Sequence, residues 1–163
     1  MKRIEPKPGQ ESVWDYPRPP RLEPVSKHLR IEHGGETIAQ TNQAFRVLET
    51  SHPPVYYFPP DDVRLDLLAV VPAASSFCEW KGRAKYYDLL LAGRRVSRAA
   101  WFYPEPTSRF LSIASFVSFY PSKMDACFVG DERVVSQPGD FYGGWITSDI
   151  VGPFKGGEGT WGW

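Results

Sequence analysis

One stretch, residues 76–87 with the sequence SFCEWKGRAKYY, crowds a thiol (Cys78), an indole (Trp80), an amine (Lys81) and two phenols (Tyr86, Tyr87) around a glycine, Gly82. A thiol becomes a nucleophile or redox centre when a nearby cation stabilises its thiolate, and Lys81 lies three residues on. Cys78 also reads as a buried cysteine packing as a small hydrophobe. Lys81 could instead hold a phosphate or carboxylate, or be an exposed lysine at a strand end. His52 precedes two prolines and so sits on a stiff loop, a rigid mount that suits a general base, although no partner for it is readable. Glu49 is the other acid/base candidate.

Five aromatic residues, Tyr56, Trp80, Tyr86, Trp101 and Trp145, are expected to wall a cleft that takes a small ring-containing ligand by stacking. In a β protein such residues also serve as core. Metal chemistry has little to start from: the three histidines (His28, His33, His52) and two cysteines show no ligand spacing. Asp61, Asp62 and Asp66 form the sole acidic cluster, which helix capping explains. The glycine-rich run at 156–160 lacks the Gly-Lys-Ser/Thr ending of a phosphate loop. No metal and no cofactor are expected.

These side chains need a scaffold, and 163 residues suffice for one domain burying roughly 70% of its unfolded surface. With 10 Phe, 8 Tyr and 6 Trp beside 14 Gly and 16 Pro, the composition favours sheets and turns over a helical bundle. Lys and Arg number 19, as do Asp and Glu, so neither nucleic acid nor an anionic membrane is an expected partner. Arg94, Arg95 and Arg98 read as a solvated hairpin tip. The absence of paired cysteine motifs, of an apolar run near 18 residues and of a signal-peptide core predicts a soluble, cytoplasmic protein. A small molecule is left as the expected partner, and nothing in the pattern specifies an oligomer.

Residues 1–28, with prolines at 6, 8, 17, 19, 20 and 24, form an extended arm that Trp14 and Tyr16 could pin onto a single domain spanning 29–163. Glycines at 34–35, 93 and 130 mark three hairpin tips. Residues 44–50 alternate as a strand with Phe45, Val47 and Glu49 on one parity; Glu49 either turns inward and needs a partner or bends out to water. Val63, Leu67 and Val70 predict a short helix capped by Asp61, and Phe110, Ile113, Ala114 and Val117 a second capped by Thr107. Residues 84–91, 96–103, 116–120 and 145–151 read as strands. The whole is mainly β: two antiparallel sheets and two short helices.

The segments ESVWDYPRPP (11–20), VLETSHPPVYYFPPDDV (47–63), CEWKGRAKYY (78–87), AAWFYPEP (99–106), QPGDFYGGWIT (137–147) and VGPFKG (151–156) together resemble the domain-of-unknown-function 427 family. That family also carries a nucleotidyltransferase label, an activity that would need a divalent metal with its nucleotide. The resemblance implies a β-tent, two antiparallel sheets pinched at one end. Relatives of that fold often close the pinch with a four-cysteine zinc; with two cysteines, this chain is expected to close it by packing. The family's Cys-x-x-Lys-Gly is matched by Cys78, Lys81 and Gly82, with Glu79 where proline is commoner.

Overall fold

The computed structural model describes residues 1–139 and 141–163 and is mainly β. Its first strands are β1 (Glu11–Ser12), β2 (Arg21–Pro24), β3 (Leu29–His33), β4 (Glu36–Thr41), β5 (Phe45–Leu48) and β6 (Val55–Tyr57). Three long ones follow: β7 (Leu68–Cys78), β8 (Gly82–Leu91) and β9 (Arg94–Phe102). Short strands complete the set: β10 (Val117–Phe119), β11 (Ala126–Val129), β12 (Glu132–Arg133), β13 (Val135–Ser136), β14 (Trp145–Ile146) and β15 (Ile150–Val151). They assemble as two four-stranded antiparallel sheets, β10-β9-β8-β7 and β12-β11-β3-β4, a three-stranded sheet β2-β5-β6, and the pairs β13-β14 and β1-β15. Antiparallel sheets are thus as expected, but the described residues form four of them, and the β1-β15 pair is parallel.

All three glycine turns close hairpins. Gly34 and Gly35 both take positive φ between β3 and β4, as do Ala92 and Gly93 between β8 and β9, the geometry that matches strand twist in a two-residue loop. Gly130 does the same at the first position of the β11–β12 turn.

The two expected short helices are 3-10 turns rather than α-helices. Residues 60–67 make two single 3-10 turns, Pro60–Asp62 and Leu65–Leu67, and the chain then enters β7. The spacing of Val63, Leu67 and Val70 fits a helix, yet the run Leu67–Val71 is apolar and ends in β-branched residues. Pairing with β8 (Leu68 with Leu89, Val70 with Tyr87) decides in favour of the strand. Asp61 does not cap the first turn, which starts after Pro59 with no side-chain cap, and Asp62 accepts from Thr41 Oγ1 at 2.7 Å. The second helix is replaced by 3-10 turns over Ser108–Ile113, broken at Phe110, and Val117 joins β10. The strand read at 145–151 divides into β14 and β15 around a turn closed by Ile150 N–H on Thr147 O.

The largest core lies around Leu29, Ile31, Ile38, Phe58, Leu89, Phe119 and Trp145. A second, of Val47, Tyr57, Ala84, Trp101, Tyr103, Phe110, Ile113 and Tyr120, underlies the site described below. A third joins Val13 and Tyr16 of the amino-terminal segment to Leu48 and Ile150. Trp14 Nε1 donates to Pro153 O at 2.9 Å, and β2 pairs with β5 at a sheet edge, where a proline is tolerated. No helix is long and apolar enough to cross a membrane among the described residues.

Candidate functional site

Strand parity builds a cleft between the three-stranded sheet and the β7–β10 sheet. Side chains alternate along a strand, so every second residue shares a face. Val47 and, just past its end, Glu49 come from β5; Ser76 and Cys78 from β7; Ala84 and Tyr86 from β8; Trp101 and, just beyond, Tyr103 from β9. The cavity they enclose has a volume of about 490 Å³. His52, Pro53 and Val55 close one side, Trp80 and Lys81 another, and Phe141, Tyr142 and Lys155 arrive from the glycine-rich segment.

Seven of the sequence-predicted residues, Cys78, Lys81, Glu49, His52, Trp80, Tyr86 and Trp101, therefore line one cavity. Tyr56 and Trp145 do not. On β6, Val55 and Tyr57 face the cleft side, so Tyr56 points the opposite way into the main core, its ring 5.1 Å from that of Trp145. Burial pushes the Tyr56 phenol up to about 12 despite the nearby Arg46. Trp145 is fully buried and donates Nε1–H to Phe119 O at 3.3 Å. Residue type alone suggested the cleft for these two, and their strands turn them into the core.

Glu49 turns inward and finds the partner that position requires. Arg18, from the amino-terminal segment, donates Nε–H and Nη2–H to Glu49 Oε2 at 3.3 and 3.1 Å. His52 Nε2 lies 3.9 Å from the same oxygen, beyond hydrogen-bond reach.

His52 is 7% exposed, edge-on to Tyr142 with ring centroids 4.6 Å apart. Its tautomer is fixed by a residue the sequence reading passed over. Gln137 Oε1 accepts Gly144 N–H at 3.0 Å, and Gln137 Nε2 donates to Lys155 O at 2.7 Å. The second Nε2 hydrogen is left for His52 Nδ1, 3.1 Å away, which must accept it. The imidazole proton is then on Nε2, facing Glu49. Burial first, then the charges of Lys155, Arg18 and Lys81, holds the imidazolium pKa down to about 3. At neutral pH His52 is an uncharged, oriented donor, not the free base its loop suggested.

The turn that carries Trp80 and Lys81 is pinned from Thr107, whose Oγ1–H donates to Trp80 O at 2.6 Å and whose N–H donates to Lys81 O at 3.1 Å. Gly82 closes this turn at φ +104°, a conformation L side chains resist. Lys81 is half-buried with Nζ 5.8 Å from the Tyr103 ring centroid, and its amine meets the Cys78 thiol. Burial opposes its charge, but Tyr57, Cys78 and Glu49 around it outweigh burial and raise its pKa. Lys81 is therefore an ammonium.

The aromatic floor is held by its own contacts. Trp101 Nε1 donates to Tyr57 OH at 3.4 Å, Trp101 and Tyr120 lie 4.5 Å apart, and Tyr86 OH donates to Ser76 Oγ at 2.9 Å. At the mouth, Phe77 and Phe141 are largely exposed. Of the contributors missed in the sequence, Gln137, Tyr142 and Lys155 sit inside motif segments already noted, but only the tertiary contacts show what they do. Cys127 is buried core, its thiol pushed up to about 12 by burial. No group of three or more His, Cys, Asp or Glu side chains gathers as a metal site among the described residues.

None of the curated proteins compared with the chain matches it. Residues 21–130 match the family model described as Domain of unknown function (DUF427), a span that holds Glu49, His52, Cys78, Lys81 and Trp101 and stops short of Gln137 and Lys155. The chain belongs to the DUF427 family.

Proposed function

We propose that the protein binds a small ring-containing molecule in the cleft between β5 and the β7–β9 hairpins, stacked on the Trp80, Tyr86 and Trp101 side chains. The observation that carries this reading is convergence: flat aromatic faces from two strands and a turn share one 490 Å³ cavity with a charged amine, a carboxylate and an oriented imidazole donor. A cavity of that size suits a small ligand, and a few placed polar groups on an aromatic wall fix its orientation. The two thiols, neither in a disulfide, suit a reducing cytoplasmic setting. A thermal-shift screen of nucleosides, nucleotides and related ring compounds is expected to raise the melting temperature with at least one class, and the rise should vanish in Trp101→Ala. A flat response across the whole screen would sink the reading.

The contact between the Lys81 amine and the Cys78 thiol supports a second reading, in which Cys78 is a nucleophile or redox centre and Lys81 its electrostatic partner. It requires Cys78 to be alkylated by iodoacetamide near neutral pH faster than a free thiol, and faster than in Lys81→Met.

A further inference from the structure

Two cations, Lys81 and Lys155, line the cleft, and Arg18 reaches Glu49 from outside it. Lys155, Arg18 and Lys81 each act on His52, and against them stands Glu49. Arg18 already neutralises Glu49, and among the described residues the other lining acid, Glu79, is exposed on the turn. Lys155 Nζ is partly engaged, donating to Trp163 O at 3.2 Å and lying 5.6 Å from the Tyr142 ring. Lys81 is not matched in this way. Among the described residues no carboxylate comes within 4.0 Å of its Nζ; a thiol and phenol rings surround it, and Glu49 acts on it only from farther off. A half-buried ammonium with no carboxylate in direct contact keeps its hydrogen-bonding capacity for an incoming anion, which would gain a charge-assisted contact there. His52 adds a second recognition element: held by Gln137, its Nε2–H can only donate, so it selects an acceptor.

We infer that the molecule taken by the cleft bears an anionic group, a carboxylate or phosphate, bound at the Lys81 ammonium with the Nε2–H of His52 as second donor. This rests on the ring-binding reading above and specifies the chemical class of its ligand. Gln137 is then a positioning residue, acting on the anion only through the tautomer of His52.

Calorimetry on the full chain with matched probes tests it: phenyl phosphate against phenol, and indole-3-acetate against indole-3-acetamide. The anionic member should bind roughly tenfold or more tightly in at least one pair, the scale of one charge-assisted contact, and the pair that responds identifies phosphate or carboxylate. The advantage should shrink as salt is raised. Lys81→Met, which keeps the stem and removes the charge, should abolish it. If that variant does not fold, Lys155→Met should reduce the advantage, and the salt series on the unaltered chain applies regardless. Neutral probes binding as tightly as their anions in both pairs would overturn the inference and leave ring binding standing; no heat from any of the four would overturn both.

Discussion

Gln137 shows how one amide can fix the chemistry of a whole cleft. Its oxygen takes the Gly144 N–H, one hydrogen goes to Lys155 O, and the other to His52 Nδ1. Replacing it with leucine keeps the volume but orphans a buried N–H and a buried carbonyl, so Gln137→Leu should lose about 3 kcal/mol in urea denaturation. The histidine gives a separate expectation. Its folded pKa, about 3, lies below the ordinary value of 6.5. Between these values the unfolded chain holds a proton that the folded one lacks, so stability is full above pH 6.5 and declines as pH falls towards 3. His52→Gln should flatten the plot of unfolding free energy against pH in that window by about one proton.

At the scale of elements, the turn between β7 and β8 is the piece that brings Cys78, Trp80 and Lys81 to the cleft, and its geometry is dictated from 26 positions away by Thr107. Thr107→Val removes the bond to Trp80 O and should cost about 1 kcal/mol. Backbone amides of residues 79–82 should exchange faster while those of β9 keep their protection. The sequence announced much of this layer. Glycine turns marked three hairpins, and alternation put Val47 with Glu49, and Trp101 with Tyr103, on common faces. It misled where a pattern had two solutions. Val63, Leu67 and Val70 satisfy helical spacing, and only the presence of β8 as a partner makes β7 a strand. Tyr56 and Trp145 are cleft-forming by residue type, but which side a strand shows to the cleft is set by its neighbours. Gln137 gave no signal, because an amide's role lies wholly in contacts that are distant along the chain.

For the molecule as a whole, the amino-terminal segment is structural substance. Val13 and Tyr16 are buried against Leu48 and Ile150, Tyr16 OH donates to Glu11 Oε1, and Arg46 binds both Glu11 and Glu23. Tyr16→Ala should therefore destabilise by roughly 3 kcal/mol. Unfolding followed by Trp14 fluorescence should coincide with that followed by far-ultraviolet circular dichroism, as a single transition. The Gln137 node then acquires a meaning for the whole fold. Its three partners, His52, Gly144 and Lys155, are drawn from the β5–β6 loop and the glycine-rich stretch, so the cleft has no finished wall until residue 155 has docked against residue 51, where Lys155 N–H donates to Ser51 O. A loop of that length costs closure entropy that the contacts at its ends must offset. The same stretch also completes the cores with Trp145 and Ile150, so the wall of the cleft and the packing of the fold depend on one segment being seated.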